Sequence, residues 1–206
     1  MGARRLAIIL ISALVLLGAP PRLGSQQGPG PNPLTTEQHL RLGFLVGQWD
    51  EEITYTDAKG SEVKGTGRWV ARPALGLYLQ IQYEGTSPMG EYRAFGVLTY
   101  DHDVQDYRMW WFDDAAGIGE YRGSFTDENT LVLEYSGKAE GKAFRERIRY
   151  TRVSPTEVRT RIEQAWEGGE FKPFLEGVAH RTGGGAGRGP AQRPPQSHPP
   201  GSGAEH

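Results

Sequence analysis

Histidine is the first residue type to examine for chemistry in this sequence, because imidazole is a common metal ligand and general base. Three of the five histidines lie in the central part of the chain, at His39, His102 and His180. None lies within a few residues of another, as the ligands of zinc sites commonly do. The sequence has no cysteine, which excludes disulfides, thiol nucleophiles and iron–sulfur clusters. We therefore expect no metal site and assign no catalytic residue.

Two acidic segments resemble functional motifs but are typical of turns. Asp101-His102-Asp103 places a histidine between two carboxylates, yet adjacent residues in a tight turn point apart and no serine completes a triad. Asp113-Asp114, followed by Gly117, lacks the twelve-residue pattern of a calcium-binding loop. Both segments are predicted to begin turns.

Three arginines alternate with other residue types in the most informative polar stretch. Arg145, Arg147 and Arg149 would share one face of a strand, with Glu146 and Tyr150 on the other. We expect the arginines to face solvent, so that Glu146 and Tyr150 face the interior and contact a ligand. Alternatively, one inward arginine could bind a ligand carboxylate with two hydrogen bonds.

A second stretch carries apolar bulk on both faces of its strand. We predict that Tyr107, Met109 and Trp111 face the interior as ligand contacts, which places Trp110 and Phe112 on the outer face. We expect an N-terminal helix to bury this outer set. The alternative is an exposed aromatic patch for a partner or a glycan.

The elements that carry these residues are predicted from hydrophobic periodicity. Thr36 suits the N-cap of a helix over 37–45, whose apolar stripe would hold Leu40, Phe44 and Leu45. From Trp49 onward, apolar residues recur at every second position, although Glu51 interrupts the first set. Eight turn segments separate these runs, at 57–60, 87–90, 101–103, 113–117, 127–129, 137–141, 154–155 and 168–169. Short connections throughout predict an all-β fold, an antiparallel up-and-down barrel of about nine strands with a short N-terminal helix.

Composition divides the chain into four parts. Residues 1–25 combine Arg4 and Arg5 with a twelve-residue apolar run, Leu6–Leu17, which is typical of a secretory signal peptide. A helix of that length spans about 18 Å, too short for a bilayer core of about 30 Å. Residues 26–34 are predicted to be a Pro/Gly-rich disordered linker, 35–182 the barrel domain and 183–206 a disordered Gly/Pro-rich tail. All 21 aromatic residues lie within the barrel segment.

Charge and the signal peptide together limit the partners and the location. The chain has a formal net charge of −2, and residues 1–25 hold three arginines and no acid. Removal of the signal peptide would leave an acidic protein with no electrostatic attraction to nucleic acid. We expect an exported protein, periplasmic or extracellular, with no stable membrane span.

The start of the barrel segment resembles a known group of proteins. A short helix that ends at Gly47-Gln48-Trp49 resembles the G-x-W opening of lipocalins and related calycin barrels. Three segments, LGFLVGQW (42–49), GVLTYD (96–101) and RIRYTR (147–152), look like the lipocalin-like domain of unknown function 1579. The resemblance covers residues 36–181 and implies that Trp49 closes one barrel end against Arg181, with Gly47 beside them.

The resemblance and the barrel pattern predict a small-molecule-binding protein that holds an apolar or amphipathic ligand. Barrels of about eight strands leave room for one such ligand. One alternative is a haem protein similar to the nitrobindins, with His180 as the candidate axial ligand. Others are an enzyme that uses carboxylates such as Glu120 or Glu146, and a structural module with a filled core.

Overall fold

A computed structural model describes residues 32–57, 59–87 and 90–182. The predicted signal peptide, most of the predicted linker and the predicted tail lie outside the described residues. No helix within the described ranges combines the length and the apolar composition needed to cross a membrane.

The described chain consists of two short helices followed by strands. The α-helix α1 spans Glu37–Arg41, and a 3₁₀ helix spans Leu42–Leu45. The strands are β1 (Gly47–Thr56), β2 (Glu62–Ala74), β3 (Tyr78–Ser87), β4 (Gly90–Asp101), β5 (Asp106–Asp113), β6 (Ile118–Phe125), β7 (Thr130–Ala139), β8 (Lys142–Ser154), β9 (Glu157–Trp166) and β10 (Lys172–Arg181).

These ten strands form a closed antiparallel barrel. Each strand pairs with its neighbours in the sequence, and β1 pairs with β10 to complete the ring. This confirms the predicted fold class. Closure leaves no strand edge unpaired, which removes a common site of aggregation.

The barrel has ten strands and not about nine, because a turn that the sequence does not indicate separates β2 from β3. Leu75, Gly76 and Leu77 connect β2 to β3, and the first two have positive φ values of 54° and 74°. Two successive residues with positive φ in a hairpin turn are usually Asn-Gly. Here Leu75 and Leu77 look like strand residues in the sequence, although Leu75 is 80% exposed.

The N-terminal helix begins as predicted and then differs from the expected helix. Thr36 has extended backbone angles at the N-cap, and its N–H donates to His39 Nδ1 at 3.3 Å. The chain changes to a 3₁₀ helix after Arg41, which rotates the later residues relative to an α-helix. Leu42 and Leu45 are therefore buried, whereas Leu40 is 70% exposed and does not belong to the apolar stripe.

Trp49 lies at the barrel end that the helices cover. Its indole Nε1 donates to the Leu45 carbonyl at 2.9 Å, and its ring stacks on Trp69 at a centroid distance of 5.0 Å. The Arg181 Cζ atom lies 4.2 Å from the Trp49 ring centroid, the predicted cation–π contact. Arg181 also donates hydrogen bonds to the carbonyls of Val46 and Pro155. The last strand is thereby attached to the first.

Gly47 is required at this junction. Its φ is +140°, a region that side chains with a Cβ rarely adopt, and a Cβ there would collide with the Arg181 guanidinium. The glycine of the G-x-W sequence therefore makes room for the arginine that covers the tryptophan.

Candidate functional site

The barrel encloses a cavity of about 680 Å³. Leu45 and Trp69 line it toward the end that the helices cover, and Ala116, Gly117 and Lys138 line it at the opposite end. These last residues lie at the β5–β6 turn and near the end of β7, which places the mouth there. The volume lies within the range of small-molecule sites, about 300–1,000 Å³.

Glu51 is the most unusual residue of the cavity lining. It lies in the middle of β1, in the inward frame of Trp49 and Ile53, and only 5% of its surface is exposed. Its Oε1 atom accepts no hydrogen bond from any described residue. Burial raises the Glu51 pKa to about 7, and a hydrogen bond with the Thr160 side chain acts in the opposite direction.

Gly177 on β10 provides the space for this carboxylate. A Cβ at position 177 would overlap the Glu51 carboxyl group, which lies against the backbone there. Because Gly177 has no side chain, β10 leaves room for the Glu51 carboxyl group inside the barrel.

Glu146, on β8, is the second carboxylate of the lining, and both of its oxygens accept hydrogen bonds. The Tyr121 hydroxyl donates to Oε1 at 2.6 Å, and Gln164 Nε2 donates to Oε2 at 2.8 Å. Burial and the nearby Glu146 charge raise the pKa of Tyr121 well above its usual value. Both oxygens of Glu146 thus accept hydrogen bonds from residues of the barrel, whereas Oε1 of Glu51 accepts none from the described residues.

Tyrosines form much of the remaining polar surface of the cavity. The six that line it are Tyr55, Tyr83, Tyr92, Tyr121, Tyr135 and Tyr150. Burial is the largest cause of the raised pKa of Tyr150, and the charges of Glu51 and Glu146 add to it. Burial raises the pKa of Tyr92 to about 12, and its hydroxyl accepts a hydrogen bond from Trp111 Nε1 at 2.9 Å. The phenols of Tyr92 and Tyr150 therefore remain neutral near pH 7.

The five predicted ligand contacts are divided between the cavity and the packed core. Trp111, Glu146 and Tyr150 line the cavity. Tyr107 and Met109 instead belong to the tightly packed core, where they are 2% and 0% exposed. The Tyr107 hydroxyl donates to the backbone carbonyl and the side-chain oxygen of Gln38, which attaches α1 to β5.

The arginines of β8 face outward, as expected. Arg147 pairs with Glu134 at 2.6 Å, and Arg149 pairs with Glu163 at 3.0 Å. Glu120, a carboxylate considered for catalysis, also lies on the outer face, where it pairs with Arg108 and Arg122. Among the described residues, no arginine lines the cavity.

The predicted burial of the outer β5 aromatics under the helix is wrong. Phe112 is 40% exposed and stacks on the exposed Phe95 of β4. Ile118, opposite Phe112 on β6, is also exposed. The helix packs over one end of the barrel, where Gln38 meets the inward residue Tyr107, so it cannot cover the outer face of β5.

The histidines lie away from the cavity. His180 is exposed on the outer face of β10, in a surface groove that also contains Asp50 and Arg68. His39, on α1, is buried beside Tyr100 and His102. Burial and the nearby His102 lower the His39 pKa. Since no histidine lines the described cavity, its residues do not fit a histidine-ligated haem.

Metal-ligating side chains are also dispersed. Within the described ranges, no three residues of the types His, Asp and Glu come close enough together to hold a metal ion. The two predicted acidic turns are present: Asp101 accepts from the Asp103 N–H, and Asp113 accepts from the Ala115 and Gly117 N–H groups.

Glu51 and five of the six lining tyrosines were not identified as cavity residues from the sequence. Glu51 shares its inward frame with Trp49, Ile53 and Tyr55, so its burial could have been found from alternation alone. Tyr83, Tyr92, Tyr121 and Tyr135 also lie on inward faces, but tyrosine is common on both faces of strands and gives no comparable signal.

A closed antiparallel barrel, with short helices across one end and an open cavity at the other, defines a lipocalin-like barrel. The chain belongs to a family described as proteins of unknown function (DUF1579), whose model matches residues 34–181. No curated protein shows significant sequence similarity to the chain.

Solved structures share this fold at low sequence identity. Rv2717c from M. tuberculosis is 15% identical with a TM-score of 0.54, and the match covers 71% of this chain and 98% of that one. The S-type phycobiliprotein lyase CPES from Guillardia theta is 12% identical with a TM-score of 0.47, covering 72% and 98%. A redesigned barrel bound to DFHBI, mFAP0, is 18% identical with a TM-score of 0.39, covering 67% and 99%. At these identities, the similarity to Rv2717c supports the fold alone.

Proposed function

We propose that this protein is an exported barrel that binds a small apolar or amphipathic molecule in its interior. The observation that carries the proposal is the cavity of about 680 Å³, lined mainly by aromatic and aliphatic side chains together with three carboxylates, Glu51, Asp113 and Glu146. Apolar walls with a few polar groups are typical of small-molecule sites.

The two ends of the barrel differ in a way that suits a binding protein. At one end, Trp49, Trp69 and Arg181 close the barrel in a packed stack. At the other end, small residues such as Ala116, Gly117 and Ala139 line the mouth. A ligand could therefore enter without disrupting the core.

Displacement of an apolar fluorescent dye tests the binding function. Nile red should bind the purified protein, and native mass spectrometry should detect any small molecule that copurifies with it. Ala139→Trp places an indole in the mouth and should weaken dye binding by about fivefold or more. Ala143→Trp is the matched control, because Ala143 lies on the exposed face of the adjacent strand.

Two results would contradict the binding proposal. One is a protein that binds neither Nile red nor any copurifying molecule. The other is an equal effect of the two tryptophan variants, since only one of them blocks the mouth.

Export is the second part of the proposal and rests on residues 1–25. Fusion of residues 1–34 to a reporter that matures only outside the cytoplasm should produce signal, and Arg4→Asp with Arg5→Asp should reduce it. N-terminal sequencing of the mature protein would locate the cleavage site. A full-length mature protein that still begins at Met1 would contradict the proposed signal peptide.

A further inference from the structure

We infer that the ligand carries a basic nitrogen, bound beside the Glu51 carboxylate, on an apolar or aromatic body. This inference rests on the proposed binding function and specifies the class of ligand.

The hydrogen-bonding capacity of the Glu51 carboxyl group is only partly met inside the barrel. Its Oε1 atom has no hydrogen-bond donor among the described residues, and the side chain lines the cavity. An uncompensated buried carboxylate is costly unless a cation or a donor meets it.

Acidic side chains outnumber basic ones in the described cavity lining. The described lining contains three acids, Glu51, Glu146 and Asp113, and one base, Lys138. Lys138 is exposed at the mouth, and Asp113 is held in its turn by backbone N–H groups. The interior therefore carries negative charge with no interior cation, so an ammonium group would be attracted and a ligand carboxylate repelled.

The carboxyl groups of Glu146 and Glu51 differ in the hydrogen bonds that they accept. Glu146 already accepts hydrogen bonds from Tyr121 and Gln164, so it needs no ligand donor. Among the residues that the structure describes, Glu51 has only the hydrogen-bond contact with Thr160. The ligand nitrogen is therefore assigned to Glu51.

The surrounding rings also suit a cation. Tyr83 and Tyr150 lie close enough to Glu51 for its charge to raise the pKa of both phenols. Aromatic rings stabilise an ammonium group placed over their faces. Trp111 extends the aromatic wall away from Glu51 and suits the apolar body of the ligand.

The titratable groups that face Glu51 are limited. They are Tyr55 on its own strand, Tyr83, and Tyr150 with Glu146 on β8, while the neighbouring strands β2 and β10 present Gly67 and Gly177. The phenols stay neutral between pH 5 and pH 8 because their pKa values are raised. Glu51, with a pKa of about 7, should change its charge in that interval.

Three probes of the same shape test the inference. Naphthylmethylamine, naphthylmethanol and naphthoic acid differ only in the polar group, and isothermal titration calorimetry measures their affinities for the full protein. At about pH 8 the amine should bind about tenfold more tightly than the alcohol, and the acid should bind most weakly. At about pH 5.5 the preference for the amine should shrink, because Glu51 becomes protonated.

Two variants separate the role of Glu51 from a general effect of charge. Glu51→Gln should reduce amine affinity about tenfold at pH 8 and leave alcohol affinity within about twofold, which also shows that the cavity is intact. Glu52→Gln is the control, because it removes the same charge from the adjacent exposed residue. It should leave all three affinities unchanged.

The outcomes distinguish this inference from the binding function itself. If Nile red binds but the amine is not preferred over the alcohol, or if Glu51→Gln leaves amine affinity unchanged, the ligand class is wrong and the binding function stands. If Nile red and all three probes fail to bind, the proposed function fails and the inference fails with it.

Discussion

Replacing Glu51 by glutamine should make the stability of this barrel less dependent on pH. The carboxyl group is nearly fully buried, and burial raises its pKa from 4.5 to about 7. Because the folded state binds this proton more tightly than the unfolded chain, the wild-type protein loses stability as the pH rises from about 4.5 to about 7. Above that interval the loss is complete, and below it both states are protonated.

The size of the effect follows from the difference between the two pKa values. Each pH unit of difference is worth about 1.4 kcal/mol, so the interval from 4.5 to about 7 corresponds to about 3 kcal/mol. Glutamine has nearly the same shape and no charge to lose. The free energy of unfolding of Glu51→Gln, minus that of wild type, should therefore increase by about 3 kcal/mol between pH 4.5 and pH 8.

Urea denaturation followed by tryptophan fluorescence measures this difference at a series of pH values. Subtraction removes the titration of all other groups, and it also removes any constant cost of burying the amide. Glu52→Gln, on the exposed face of the same strand, should show no such pH-dependent gain. A difference between Glu51→Gln and wild type that stays constant from pH 4.5 to pH 8 would refute the argument, because Glu51 would then titrate like a solvated carboxyl group.

Three further substitutions test other features by denaturation. Gly47→Ala should cost about 1–3 kcal/mol, since it combines a positive φ with a collision at the Arg181 guanidinium, whereas Gly43→Ala meets no atom within 4 Å and should cost little. An equal cost for the two would contradict the role given to Gly47. Leu75→Asn should stabilise the β2–β3 turn by about 0.5–1 kcal/mol, because asparagine tolerates positive φ better than leucine, and a loss of stability would show that the exposed leucine has a packing role. Tyr121→Phe should cost about 1–3 kcal/mol by leaving its acceptor, the half-buried Glu146 carboxylate, with one donor fewer, and an unchanged stability would argue against that hydrogen bond.

The period-two pattern predicted the barrel well because strand alternation is a local property. The outward direction of Arg145, Arg147 and Arg149 follows from the opposite direction of Glu146 and Tyr150 on the same strand. The contact between Trp49 and Arg181 was also predictable, but from the resemblance to a family and not from alternation. In each of these cases the prediction needed only the alternation of one strand or a recognised sequence pattern.

Features that depend on three-dimensional packing were not predictable in the same way. The Leu75 turn was missed because a leucine at positive φ contradicts the usual chemistry of turns. The exposure of Phe112 depends on where the helix packs, which the sequence of β5 does not contain. Whether Oε1 of Glu51 meets a hydrogen-bond donor depends on the side chains of several strands. Position 177 contributes no donor from a side chain because it is glycine.

Closure of the ring by β1 and β10 also has a consequence for how the chain folds. Every other strand pairing joins sequence neighbours and can form as a local hairpin, whereas Arg181 bonds to the carbonyl of Val46, 135 residues earlier. Contacts of such long range form late, because the loop-closure entropy must be overcome first. During synthesis the hairpins can therefore assemble in order, but the first strand stays open until the last strand has been made. The synthesis of β10 thus determines when folding can finish, and a chain that stops before Lys172 should remain an open sheet with two unprotected edges.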